Sequence, residues 1–87
     1  MATIQHTSHQ QLIEDCQGLV RSLALQIHGT LPKRIDLDDL IGYGQVGLAE
    51  AAQVFNPNLN VKFSTFAYYR IRGAMFDGLR KMSWFRQ

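Results

Sequence analysis

Apolar residues recur at steps of three and four along three stretches of the chain, the signature of amphipathic helices. In the first stretch Leu12, Cys16, Leu19, Val20, Leu23, Ala24 and Ile27 form one stripe. Ser8, with Gln11 three residues on, reads as a capping box, and Gly29 reads as a stop, so the spacing predicts one continuous helix. Pro32 then disfavours helix at Leu31. In the second stretch Leu37, Leu40, Ile41, Gly44, Leu48, Ala51 and Phe55 form the stripe. Asp36 is placed to cap it, and Asp38 and Asp39 sit where the helix dipole favours carboxylates. Asn56 before Pro57 ends it. A third helix is predicted from near Ser64 or Thr65, with Ala67, Ile71, Ala74, Met75, Gly78, Leu79 and Met82 facing inward. Apart from a brief ambiguity at "NVKF", nothing alternates as a strand does. The predicted fold is an all-α domain of three helices, with room for a short fourth.

Eighty-seven residues hold a single small domain, expected here over residues 1–87 with residues 1–7 frayed. Every long apolar run is broken by charge or Gly, and the N-terminus lacks a basic segment followed by an apolar one. No membrane association and a cytoplasmic location are therefore expected. Cys16 has no second cysteine to pair with and reads as a small buried hydrophobe.

Charge changes this picture more than overall composition does. Three basic residues against six acids leave residues 1–61 at −3, whereas six basic residues against Asp77 leave residues 62–87 at +5. The basic third is also the aromatic third: Phe63, Phe66, Tyr68, Tyr69, Phe76, Trp84 and Phe85 interleave with Arg70, Arg72, Arg80, Lys81 and Arg86. With the third stripe facing inward, Phe66, Tyr69, Arg70, Arg72, Phe76, Arg80 and Lys81 fall on the flanks or the outer face. Positive charge gathered on the aromatic third suits a polyanion-binding face, with nucleic acid the leading candidate. A plainer reading is that the rings wrap the core edge while the arginines extend into water.

"GYGQVG", Gly42 to Gly47, has the letters of a dinucleotide-binding turn but lies inside a helical stripe with no strand before it. Gly44 and Gly47 are instead expected to let neighbouring helices approach closely. The opposite side of that helix, with Asp39, Gly42, Tyr43, Val46, Ala49 and Gln53, is unusually apolar for a solvated face and could meet a partner helix.

The run "DLDDLIGYGQVGLAEAAQVFNPNLNVKFSTFAYYRIRGAMFDGLRKMSW" closely resembles region 2 of the bacterial RNA polymerase sigma factors, above all alternative sigma factors of the flagellar, sporulation and stress type. The likeness extends from about Leu19 to Trp84. It implies a module that binds the clamp helices of the polymerase β′ subunit through Asp39, Gly42, Tyr43, Gln45, Val46 and Ala49, with Gly42 and Tyr43 departing from the usual Gln and its polar or small neighbour. It also implies that the module recognises and melts the minus-ten promoter element. Phe66 resembles the aromatic of the pocket for a flipped adenine, Tyr69 and Arg70 occupy the positions of a tryptophan pair, and Gly73, Phe76 and Asp77 face the upstream edge of the element. Lys62, Arg72, Arg80 and Lys81 are phosphate-contact candidates, and Thr65 and Trp84 complete the expected DNA-binding set. An anti-sigma factor is a further partner that the resemblance implies, and the domains that follow region 2 in the family are expected to be absent.

A competing reading is a sigma-like interaction module that binds polymerase or an anti-sigma factor without DNA. Arg72 has its own alternative, pairing with Asp77 or with an acid of another helix. The sequence offers no catalytic constellation. His6, His9, His28 and the lone Cys16 do not make a zinc set, and adjacent Asp38 and Asp39 point apart on a helix, so neither an enzyme nor a cofactor is expected.

Overall fold

The computed structural model describes residues 9–82, which form four helices: α1 His9–Asp15, α2 Gln17–His28, α3 Leu37–Val54 and α4 Phe63–Lys81. There is no strand among the described residues. The helix predicted across Cys16 is in fact two. Cys16 adopts φ −107° and ψ 14°, outside the helical well, and its N–H reaches back only three residues, to the Ile13 carbonyl at 3.3 Å. The Gln17 side-chain amide donates to that same carbonyl at 3.2 Å, supplying a partner where the helical ladder is interrupted. Periodicity did not reveal the break because the Cys16 side chain stays buried, 6% exposed, on the same stripe. Burial, and to a lesser degree the Asp15 carboxylate, push its thiol above the ordinary value. Ser8, the predicted cap, lies outside the described residues.

The other boundaries follow local chemistry. Asp36 caps α3 in extended conformation, its carboxylate accepting from the Asp38 N–H at 3.0 Å, with Asp38 and Asp39 in the first turn. The loop before it is tied back to α2, since His28 Nε2 donates to the Ile35 carbonyl at 2.8 Å while the Ile35 side chain is buried. After α3, the Asn56 side chain accepts from the Asn58 N–H at 2.9 Å, an Asx turn that reverses the chain. α4 starts at Phe63, one residue before the expected start, with Lys62 at its N-cap and no side-chain cap.

α3 and α4 form the principal interface, α2 packs on both, and α1 lies chiefly against α3. Val20, Leu23 and Ala24 of α2, Leu40, Leu48 and Ala51 of α3, and Ala67, Ile71, Met75 and Leu79 of α4 make the core. The seam is set by small residues. A Cβ on Gly47 would lie 2.7 Å from both the Ala74 Cβ and the Arg70 carbonyl oxygen, and one on Gly44 would lie 2.5 Å from the Met75 methyl. The expectation that these two glycines permit close helix approach is met. Gly42, one turn earlier on the other side, has nothing within 4 Å of the same construction. Among the described residues no helix is long and apolar enough to cross a membrane.

Gly47→Ala should therefore destabilise the fold by about 1–3 kcal/mol through forced separation of backbones, although Ala favours helix. Gly42→Ala, which has room and only the propensity gain, should stabilise by up to about 1 kcal/mol. Urea denaturation of the two variants distinguishes packing from propensity, because propensity alone moves both in the stabilising direction.

Candidate nucleic-acid and protein interface

Steps of three and four carry Phe66, Tyr69, Gly73, Phe76 and Arg80 along one side of α4. The structure divides the rings on that side into two kinds. Phe66 is half-buried in a cluster with Phe55 at the end of α3 and Phe63 at the start of α4, with ring centroids 5.4 and 6.5 Å away. Phe76 is also partly buried against the core. Tyr69 is 66% exposed and meets the Tyr68 ring in a T-shaped contact, with centroids 4.9 Å apart. The plainer reading of rings wrapping the core edge thus describes Phe66 and Phe76 but not Tyr69.

The cations are arranged on these rings. The Arg70 guanidinium lies 5.2 Å over Phe66 and that of Arg72 lies 5.1 Å over Phe76. Each is spaced four residues from its ring, which puts it on the same side one turn away. Arg72 is not the partner of Asp77. Five residues on a helix turn the two side chains well apart, and Asp77 instead accepts from Arg80, three residues on, at 3.0 Å. That pair is exposed at both ends, so water and salt weaken it and Arg80 can exchange its partner at little cost. Lys62 and Lys81 are exposed at opposite ends of α4. The positive end of the helix dipole at Lys62 is left without an acidic residue in the first turn.

Tyr69 forms a ridge between two grooves. On one side a shallow depression of about 280 Å³ is lined by Leu19, Ser64, Thr65, Tyr68 and the Tyr69 ring itself. On the other, a groove of about 360 Å³ follows the seam between α3 and α4, with Val46 and Glu50 on one wall and Arg70, Gly73, Asp77 and Lys81 on the other. Gly73 leaves the floor open, having nothing within 4 Å of a constructed Cβ. Candidate residues assigned from sequence to two different partners therefore border the same groove.

On α3, Asp39, Gly42 and Val46 are exposed, Val46 by 56%, and Ala49 is partly exposed. Two other residues expected on this face are engaged within the fold. Gln45 exchanges side-chain amide hydrogen bonds with Gln17 of α2, the Gln17 amide donating at 3.0 Å. The Tyr43 ring leans onto α4 at Gly78, where an added Cβ would collide with its carbons. Trp84 lies outside the described residues. Among those residues no three of His, Cys, Asp and Glu gather as a metal site.

Sequence reasoning gave no role at this surface to Phe55, Glu50, Leu19 or Ser64. Phe55 and Phe63 flank the Asn-Pro turn, and a turn that reverses one helix onto the next brings such flanking rings together; that signal was available. Glu50 and Leu19 reach the grooves through tertiary packing, for which the sequence has no local sign.

If Tyr69 is a surface ring and Leu79 a core residue, Tyr69→Ala should cost less than about 1 kcal/mol of stability. Leu79→Ala, at 1% exposure, should cost about 2–5 kcal/mol. Equal losses in thermal melts would place Tyr69 in the core.

The family described as sigma-70 region 2 matches residues 12–85. The chain is 40% identical over 77 residues to the RNA polymerase sigma factor FliA of Pseudomonas aeruginosa, covering 88% of this chain and 31% of that protein. It is 50% identical over 54 residues to the RNA polymerase sigma-D factor of Bacillus subtilis, covering 62% of this chain and 21% of the relative. With FliA of Escherichia coli it shares 42% identity over 66 residues, 76% of this chain and 28% of that protein. The chain thus spans about a third or less of the length of these curated relatives.

Proposed function

This chain belongs to the sigma-70 region 2 family, whose members are not enzymes, and from that premise we propose that it binds core RNA polymerase and the strand-separated minus-ten element of a promoter. The observation that carries the DNA half is the exposed Tyr69 ring, standing between two grooves on a helix whose other outer rings lie under guanidinium groups. A base drawn out of a duplex loses its stacking partners, and an exposed ring restores about 1–3 kcal/mol per stacked base. That offsets much of the cost of unpairing. Tyr69 is the platform free to stack in the unbound protein. Phe66 becomes available on its upper face when Arg70 leaves it for a phosphate, which couples charge neutralisation to ring exposure. Lys62, Arg72, Arg80 and Lys81 contact phosphates and set register rather than sequence. Thr65, Gly73, Phe76 and Asp77 border the path of the strand along α4.

The polymerase half rests on α3. Asp39, Gly42, Val46 and Ala49 form a partly apolar face that solvent alone does not explain, and a pair of helices such as the β′ clamp helices can lie along it. Tyr43 and Gln45 contribute at its border through the contacts they already make within the fold.

Fluorescence anisotropy with the non-template minus-ten strand of a promoter used by the Pseudomonas relative tests the DNA half. Tyr69→Ala should weaken binding about 5- to 100-fold with the fold intact. Equal, salt-sensitive binding to that strand and to its scrambled version, unchanged in the variant, would leave a basic surface alone and favour an interaction module without base capture. For the polymerase half, Val46→Asp should reduce capture of core polymerase at least about tenfold without lowering the melting temperature, since the side chain is more than half exposed. Undiminished capture would move the contact off α3.

A further inference from the structure

The seam between α3 and α4 closes in two different ways along its length. Around Gly47 it is α3 that gives way, bringing its backbone against Arg70, Ile71 and Ala74. One turn of α3 earlier the roles reverse. There α4 supplies the gap, Gly78, and α3 supplies the filling, the Tyr43 ring, several of whose carbons occupy the space a side chain at 78 would need. Glycine at 78 and a ring at 43 therefore form one fitted pair, which explains both a buried glycine in the last turn of α4 and an aromatic residue where the resemblance led one to expect a polar or small one.

The location of this pair gives it significance. Gly78 lies next to Asp77 and within one turn of Arg80 and Lys81, so the Tyr43 ring supports the turn of α4 that carries the last of the candidate DNA contacts among the described residues. The same turn forms the far end of the groove whose opposite wall is Val46 and Glu50. The core residues Leu40, Leu48, Ile71, Met75 and Leu79 are fully or almost fully buried in their own right. Their packing holds the helices together, and the Tyr43 ring adds the spacing at this end of the seam.

We propose that Tyr43 is a positioning residue for DNA binding: seated on Gly78, its ring fixes the distance of the last turns of α4 from α3, and through them the placement of Asp77, Arg80 and Lys81. This rests on the proposed role of α4 in holding the minus-ten strand. It transfers Tyr43 from direct contact with polymerase to a part in the coupling of the two faces, since the helix that presents Val46 also carries the ring that sets α4. Removing the ring leaves a glycine facing an empty slot, and the end of α4 settles toward α3. Adding a methyl group at 78 drives the ring or the helix outward. The two opposite errors both misplace the same three side chains.

The test uses Tyr43→Phe, Tyr43→Ala, Gly78→Ala and the double variant Tyr43→Ala with Gly78→Ala, each shown by circular dichroism to be folded at the working temperature. Backbone amide residual dipolar couplings, which report orientation and not the lost ring current, should show Tyr43→Ala displacing Asp77, Arg80 and Lys81 while Phe63 to Ala67 stay in place, with Tyr43→Phe close to wild type. In anisotropy with the minus-ten strand named above, Tyr43→Ala and Gly78→Ala should each lose at least about fivefold in affinity, the order of one stacked or charged contact drawn out of register. Tyr43→Phe should stay within about twofold, and the double variant should lose less than the product of the single losses, because the second change acts on a contact already gone. Unmoved amides at 77–81 in Tyr43→Ala, or full strand affinity together with a lowered melting temperature, would overturn the proposal and leave the ring a purely stabilising role. Wild-type protein that fails to bind the strand sinks the DNA reading instead, and the amide couplings still decide whether the ring sets the helix.

Discussion

At Gly47 the backbone of α3 lies against the Arg70 carbonyl, the Ile71 Cα and the small Ala74 side chain of α4. The helices run antiparallel, as the pairing of Gly47 with Ala74, of Tyr43 with Gly78 and of Phe55 with Phe63 requires. Two helices held this closely cannot separate their outer faces. Side chains that leave the seam on the same side emerge next to each other, which is why Val46 and Glu50 of one helix border the same groove as Gly73 and Asp77 of the other. The arrangement brings the two helices for which different partners are proposed into one small unit. It uses glycine in mid-helix, at a cost of about 1 kcal/mol per residue relative to alanine, to obtain that proximity.

The rings obey a second constraint, that a small core cannot fully bury every aromatic side chain this helix carries. Phe66 and Phe76 are each held by the core on one side and by an arginine on the other, while Tyr69 stands free with its hydroxyl able to meet water. Tyrosine at the most exposed ring position, and phenylalanine at the half-buried ones, matches each side chain to the environment it occupies before any partner arrives. Arginine is the cation suited to lie over the rings, because its flat guanidinium stacks on an aromatic face where a lysine ammonium would keep its water.

The hydrophobic pattern made most of this fold readable. The three stripes, the Asp36 cap, the stop at Asn56 and the close approach at Gly44 and Gly47 are all written in local spacing, and the helices obey it. The break at Cys16 was not readable, because periodicity records which side of a helix is buried and is blind to a single residue that leaves the helical well without leaving the stripe. The site divided along a similar line. The basic and aromatic side of α4 followed from the period of the helix, but whether a given ring is free or packed depends on residues far away in sequence, such as Phe55 beside Phe66 and Gly78 beneath Tyr43. Gln45 looked available on sequence grounds, yet its amide meets Gln17 twenty-eight residues away. Long-range pairings of this kind leave no periodic trace.

The guanidinium laid on Phe66 bears on how this part of the surface meets other molecules. A bare ring of that size beside Phe55 and Phe63 would be a point of adhesion, open to any apolar surface in a crowded solution. Covered by a cation that keeps part of its hydration, the ring is closed to apolar competitors, which cannot offer the cation anything in return for moving. A phosphate can. A stacked cation of this kind therefore favours encounters with anions over encounters with apolar surfaces.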